Sequence, residues 1–173
     1  MKGIVKGVIL LAILAIPVVI YVFLKLFGSN EFSIPVYYAQ GVKAPFHECV
    51  YKGVPYVVNT GRYKGEKANV TVFFRENNTF QANDLTNIQR RLVAVFPGDF
   101  TFTPFGLRPQ EIVEITVLDS AEFKRSMHCD FVTDTLNQFI LHDRNGVIRG
   151  YYSTDLAEVD RLIVETKILL EDE

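Results

Sequence analysis

The chain has 173 residues, of which 49% are apolar and 22% charged, which is enough for one globular core. Three of its 18 basic residues, Lys2, Lys6 and Lys25, lie in the first 28 positions, so the rest carries 15 basic against 20 acidic residues. This acidic balance, without a basic tract, excludes nucleic acid as the expected partner.

The first predicted element is a membrane anchor. Gly7 to Leu24 contains no charged residue and is long enough to cross the hydrocarbon core of a bilayer. A cleaved signal peptide is the alternative, but its apolar core would be shorter and would end at small residues, whereas bulky side chains end this one. Residues 1–28 are therefore predicted to be an uncleaved transmembrane anchor, with Lys2 and Lys6 on the cytoplasmic side.

Residues 29–66 form a loop-rich extension with many proline, glycine and tyrosine residues. Its aromatic side chains either pack on the following domain or form the core of a partner interface, where aromatic residues are enriched. These are Tyr37, Tyr38, Phe46, Tyr51, Tyr56 and Tyr63.

From Lys67 onward the pattern is that of an α/β domain. Ala68 to Phe74 is an apolar, β-branched run typical of a central strand. A helix capped by Asn83 or Asp84 follows and stops at Pro97 and Gly98. Residues 100–107 predict a short strand broken at Pro104, and residues 111–119 predict another strand.

The last third contains a short helix capped by Ser120, a β-hairpin and a long helix. The hairpin turns at Asn145 and Gly146, and the helix places Leu156 and Leu170 among its inward-facing residues. A βαβ unit followed by ββα is the thioredoxin arrangement. The fold class is therefore α/β, with a thioredoxin-like domain over residues 67–173 behind the transmembrane helix.

Residues 138–170 resemble the end of the Sco/SenC family of membrane-anchored thioredoxin-like proteins. The family pattern Asp-x-x-Gly-x-Ile-Arg-Gly-x-Tyr matches the hairpin, and the segment IPVYY at 34–38 resembles the Leu-Pro-x-Tyr of the family. The matching hairpin residues are Asp143, Gly146, Ile148, Arg149, Gly150 and Tyr152. The resemblance implies a bacterial inner-membrane protein with its domain in the periplasm.

Members of that family bind copper or exchange thiols during assembly of the CuA centre of cytochrome c oxidase. They use a CxxxC after the first core strand and a distal histidine before the hairpin. Aligned on Phe73 and Phe74, the two cysteine positions fall on Asn78 and Ala82, and the histidine position falls on Thr135. An amide, a methyl and a hydroxyl cannot replace two thiolates and an imidazole as soft copper ligands.

The two cysteines, Cys49 and Cys129, are 80 positions apart, which fits neither a CxxC nor a zinc-finger spacing. Three alternatives remain: a disulfide joining the extension to the core, two separate buried thiols, or a relocated metal site with His47 and His128. His142, which ends a predicted strand, is expected on or near the surface.

From these features we expect a non-catalytic, periplasm-facing assembly factor or accessory subunit of a membrane complex, with a respiratory oxidase as the first candidate. No catalytic residue, metal site or cofactor is predicted, and the expected partners are membrane lipid and proteins of that complex. The alternative is a metallochaperone or thiol oxidoreductase that uses Cys49 and Cys129.

Overall fold

The structure of the protein is a computed structural model that describes residues 6, 13–23, 34–58, 67–77, 79–98 and 100–171. Its internal contacts divide the chain into two compact units, Met1–Ser33 and Ile34–Glu173. The larger unit contains both the thioredoxin-like domain and the described part of the extension.

In the first unit, residues 13–23 are helical (α1), and their side chains are exposed. Within the described part of the chain, no helix has the length and apolar content needed to cross a bilayer. The predicted anchor at 7–24 lies partly outside the described residues.

The second unit is built on a five-stranded mixed sheet with the order β3-β2-β1-β4-β5. Its strands are β1 (Ala68–Phe73), β2 (Phe100–Gly106), β3 (Thr116–Val117), β4 (Phe139–Asp143) and β5 (Ile148–Tyr152). β1 is central and buried along its whole length, and it pairs in parallel with β2 and antiparallel with β4.

Helices cover both faces of this sheet. α2 (Ala82–Val95) and α4 (Leu156–Glu171) pack on one face, where Leu85 and Leu162 join Val70 of β1 in one apolar cluster. α3 (Ser120–Arg125) and the extension pack on the other face, in a second cluster that includes Phe123 and Tyr56. This order of strands between two layers is the thioredoxin arrangement, so the predicted thioredoxin-like α/β class is confirmed.

Two details of the βαβ unit differ from the prediction. α2 begins after Gln81 rather than at Asn83 or Asp84, because the Asp84 carboxylate turns back to accept a hydrogen bond from the Gln81 N–H. β2 also runs through Pro104 without a break. β3 pairs only with Phe105 and Gly106, so at Pro104 the outer side of β2 needs no N–H.

The predicted strand at 111–119 shrinks to Thr116–Val117 at the edge of the sheet. The following helix α3 is capped by Asp119 rather than Ser120, since the Asp119 carboxylate accepts a hydrogen bond from the Glu122 N–H at 2.8 Å. α3 then widens into a π-helical turn, Ser126–Asp130, which we call the π turn.

Hydrogen bonds and backbone angles at the hairpin turn explain which residues occupy it. The Asp143 carboxylate accepts hydrogen bonds from the N–H groups of Asn145 and Val147, both at 2.9 Å. Only Gly146 of the turn pair has a positive φ, 83°. A side chain at Gly150 would place its Cβ 2.1 Å from the Tyr152 hydroxyl, so this position requires glycine.

In α4 the buried residues are Val159, Leu162, Thr166 and Leu169. The prediction that Leu156 faces inward is wrong, because its side chain lies in the first turn and is 71% exposed. Leu170 is only partly buried, packed against the first apolar cluster.

Candidate functional site

The loop that follows β1 is a closed turn organised by Asn77. The Asn77 side-chain oxygen accepts hydrogen bonds from the N–H groups of Thr79 and Phe80, at 2.9 and 2.7 Å. Phe80 is buried in the first apolar cluster and anchors the loop to the domain. Asn78, at the first cysteine position of the resembling family, lies outside the described residues.

Two carboxylates of the chain itself occupy the start of α2. Glu76 accepts a hydrogen bond from the Ala82 N–H at 3.4 Å, and Asp84 accepts one from the Gln81 N–H at 2.9 Å. Ala82, at the second cysteine position, is buried with 2% of its surface exposed. The positive end of the helix dipole, which favours a thiolate in a cysteine-bearing loop, here faces carboxylates instead.

Asn137 holds the segment before β4 against the end of β1. Its backbone N–H donates to the Phe73 carbonyl, and its side-chain amide makes two hydrogen bonds of 2.8 Å with the N–H and carbonyl of Arg75. Its φ is 57°, in the left-handed region that asparagine tolerates better than most residues. Thr135, two positions earlier, is exposed, and its hydroxyl donates to Asp134.

The described residues at this position do not fit copper(I). Ala82 offers a methyl group inside the core, and Thr135 offers an exposed hydroxyl that already has a hydrogen-bond partner. Soft sulfur ligands are what copper(I) requires, and neither residue supplies one. These two residues therefore supply no ligand for copper(I) at this loop.

The two cysteines form a disulfide between Cys49 of the extension and Cys129 of the π turn, with Cα atoms 5.2 Å apart. This pairing decides among the three alternatives that the sequence left open, because it leaves neither a free thiol nor a thiolate ligand. His47 is exposed, and the described residues contain no group of three histidine, cysteine or acidic side chains that could hold a metal ion.

Tyrosine hydroxyls hold the backbone around Cys129. The carbonyls of Ser126 and Met127 accept hydrogen bonds from the N–H groups of Phe131 and Thr133, five and six positions later, a wider spacing than the four residues of an α-helix. The next five carbonyls, at 128–132, accept hydrogen bonds from tyrosine side chains, at 2.7 to 3.4 Å. We call these four residues the tyrosine collar: Tyr38, Tyr51, Tyr56 and Tyr151.

Three members of the collar come from the extension and Tyr151 comes from β5. Their rings also pack edge to face, with 6.3 Å between the ring centroids of Tyr38 and Tyr56 and 5.7 Å between those of Tyr51 and Tyr56. Burial raises the pKa of Tyr151 far above its ordinary value and that of Tyr51 in the same direction, so both hydroxyls stay protonated donors. Of the aromatic residues predicted either to pack on the domain or to form a partner interface, Tyr38, Tyr51 and Tyr56 therefore pack on the domain, and Tyr63 lies outside the described residues.

Charged groups surround the disulfide. The Glu48 carboxylate lies 3.1 Å from His128 Nδ1 and 3.9 Å from Lys124 Nζ, and the Phe46 ring stacks on the His128 ring at 4.1 Å. Hydrogen bonds from its own backbone and from His128 hold the pKa of Glu48 below its ordinary value. A cavity of about 520 Å³ opens here, lined by Glu48, Ala121, Lys124, Arg125 and Cys129.

His142 is not at the surface as expected: only 1% of it is exposed. It lies on the sheet face covered by the second apolar cluster, 3.3 Å from the Thr71 hydroxyl and 5.6 Å from the Phe131 ring. Burial lowers its pKa to about 4, so the imidazole is neutral at physiological pH. Its Nδ1 atom is buried without a hydrogen-bond partner.

Sequence reasoning missed two features of these regions. One sequence feature indicated the role of Asn137, namely a residue that tolerates positive φ just before a strand. Its partner Arg75 could not be identified, because it lies 62 positions away. Lys124 and Arg125 suggested only a favourable helix end. Lys124 lies five positions before Cys129, and this spacing falls on one side of a π-helical turn but not of an α-helix.

The comparisons with known proteins give no family by sequence, since neither a protein-family model nor a curated protein matches the chain. A SCO1/SenC family lipoprotein from Bacillus anthracis str. Ames is similar in structure, with 19% identity over 64% of this chain and 85% of its own, at a TM-score of 0.49. BsSco, described as a member of the Sco family of cytochrome c oxidase assembly proteins with a disulfide switch, has 14% identity over 60% and 80%, at 0.45.

A thiol:disulfide interchange protein of the thioredoxin family from Chlorobium tepidum TLS has 18% identity over 58% of this chain and 79% of its own, at a TM-score of 0.38. The expectation that this chain is not an enzyme is contradicted. The finding that overturns it is a disulfide at the edge of an open cavity.

Proposed function

We propose that the chain is a Sco-like thiol–disulfide exchange protein whose reactive pair is Cys49 and Cys129 rather than cysteines in the loop after β1. The observation that carries the proposal is the disulfide beside the cavity that Cys129 lines. Cys49 is buried and Cys129 is half-buried, so an incoming thiol reaches the pair from one side.

The surroundings of the pair support reversible chemistry. A redox-active disulfide has to open without unfolding the protein, and here both cysteine-bearing segments have other attachments. Tyr51 and Tyr56 bind the carbonyls of the π turn, and the Val58 N–H donates to the Gly146 carbonyl at 2.8 Å. The reduced cysteines would therefore remain close enough to form the bond again.

The same attachments set the direction of the exchange. When the folded protein holds two thiols together, their disulfide is stabilised and its reduction potential falls. The reduced protein should thus act as a reductant towards other disulfides more readily than the oxidised protein acts as an oxidant.

The test is a disulfide-reduction assay with the reduced full-length chain in detergent and a peptide disulfide as substrate. The reduced wild type should convert one peptide disulfide to two thiols and become oxidised itself, Cys49→Ser should stop as a mixed disulfide on Cys129, and Cys129→Ser should be inactive. Circular dichroism on each variant shows that it is folded. If thiols open the disulfide only in denaturant, the disulfide is purely structural and the proposal is overturned.

We propose further that residues 1–28 anchor the protein in a bacterial inner membrane, with the domain in the periplasm. There it would act on protein partners of a membrane complex. The absence of charge in 7–24 and the resemblance of 138–170 to Sco/SenC proteins support this proposal, and the resemblance makes a respiratory oxidase the first candidate. Protease added to the outer face of intact inner membranes should digest the domain, and protection would refute this topology.

A further inference from the structure

We infer that the cavity beside Cys129, which we call the basic cavity, selects anionic thiols and directs their attack to the sulfur of Cys129. This inference rests on the proposed exchange function and adds a substrate class and a site of attack. The basic cavity is lined by Glu48, Ala121, Lys124, Arg125 and Cys129.

The lining gives the cavity a positive balance next to one sulfur only. Lys124 and Arg125 contribute two cations, and Cys129 is the cysteine that lines the cavity, whereas buried Cys49 does not. Glu48 is the opposing charge, and it is shared between Lys124 and His128, at 3.9 and 3.1 Å. A thiol with a carboxylate or sulfonate group finds complementary charges here, and a cationic thiol does not.

The arrangement also defines the exchange step. The thiolate of the incoming molecule attacks Sγ of Cys129, a new sulfur–sulfur bond forms there, and the bond to Cys49 breaks. Cys49 leaves with the electron pair as a thiolate. The protein then carries a reduced Cys49 and a mixed disulfide on Cys129. A second thiolate then attacks that mixed disulfide, which releases the oxidised small molecule and the Cys129 thiolate.

The experiment measures the opening of the disulfide in the oxidised full-length chain by three small thiols. These are anionic 2-mercaptoethanesulfonate, neutral 2-mercaptoethanol and cationic cysteamine, with rates expressed per concentration of thiolate. At low ionic strength the anionic thiol should react roughly tenfold faster than the cationic one. The preference should shrink in molar salt, because salt screens exposed charges.

Variants locate the origin of the preference. Lys124→Gln and Arg125→Gln should each reduce the ratio of anionic to cationic rates by about threefold, the size of one exposed charge interaction. Glu48→Gln should change the ratio in the opposite direction. Lys167→Gln is the matched control, since Lys167 is an exposed lysine on α4, across the sheet from α3.

Acid quenching followed by peptide mapping should find the mixed disulfide on Cys129. A label on Cys49, or equal rates for the three thiols, overturns this inference and leaves the exchange function standing. If no thiol opens the disulfide of the folded chain, the exchange function fails and the inference fails with it.

Discussion

The loop after β1 and the π turn after α3 are opposite solutions to one problem, a helix end whose backbone groups need partners. At the start of α2, Glu76 and Asp84 satisfy the free N–H groups. At the end of the π turn, tyrosine hydroxyls donate hydrogen bonds to the carbonyls of Cys129 and Phe131. The first solution closes the loop where the resembling family has its cysteines, and the second holds a disulfide at the edge of a cavity.

The comparison shows that a helix end can be completed either by nearby residues or by a distant segment of the chain. The loop after β1 is closed mostly by residues within a few positions of one another, and Asn137 adds two hydrogen bonds to Arg75 from 62 positions away. The π turn depends on an extension that lies 73 to 94 positions away in the sequence. The disulfide at the π turn is therefore tied to the docking of the extension.

The largest expected effect comes from removing the disulfide. Cys49 and Cys129 are 80 positions apart, and closing a loop of that length stabilises the folded state by about 4 kcal/mol in the chain-entropy model. The double variant Cys49→Ser with Cys129→Ser should lose that amount in denaturant unfolding against the oxidised wild type. A loss below about 1 kcal/mol would show that the extension is held without help from the covalent bond.

The buried imidazole beneath the π turn should make stability depend on pH. The unfolded chain takes up a proton at His142 below pH 6.5, whereas the folded protein resists protonation down to about 4. The contribution of the neutral imidazole to the unfolding free energy is therefore fully present above pH 6.5. It falls as the pH drops towards 4, by about 3 kcal/mol in total.

This pH effect is measured as the difference in unfolding free energy between the wild type and His142→Gln from pH 7.5 to 4. The variant should lack this part of the slope, and His47→Gln, which changes an exposed histidine, should keep it. Parallel curves for the wild type and His142→Gln would refute a neutral buried imidazole.

The loop side of the comparison depends on Asn137. Asn137→Ala removes two hydrogen bonds to Arg75 and leaves alanine at a φ of 57°, so we expect a loss of about 2 kcal/mol. Asn137→Gly is the matched control, because it loses the same hydrogen bonds without the backbone strain. Hydrogen exchange of the Arg75 amide should accelerate in both variants, and an unchanged rate would contradict the role of Asn137 in holding Arg75.

The smallest effect is expected from one hydroxyl of the tyrosine collar. Tyr56→Phe removes the donor to the carbonyls of Cys129 and Asp130 and should cost about 1 kcal/mol. Tyr37→Phe serves as the comparison, since the described residues offer its hydroxyl no hydrogen bond. Equal unfolding free energies for the two variants would show that water replaces the Tyr56 hydroxyl without loss of stability.

Much of the fold and part of the site could be predicted from the sequence. The strand at Ala68, the hairpin around Gly146 and the long last helix follow from local periodicity and turn chemistry. The lack of sulfur and imidazole ligands at Ala82 and Thr135 is likewise a matter of residue identity alone. Predictions failed at the capping residues, because the choice among neighbouring polar side chains depends on small differences in geometry.

Only the tertiary structure decided the rest. Which of three states Cys49 and Cys129 adopt, whether His142 is buried, and what the tyrosines of the extension bind all depend on contacts between segments far apart in the chain. Sequence periodicity reports which face of one element is apolar, but it carries no information about which distant segment covers that face. The disulfide, the collar and the cavity exist because the extension packs on α3 and the π turn, and that packing is a property of the folded chain.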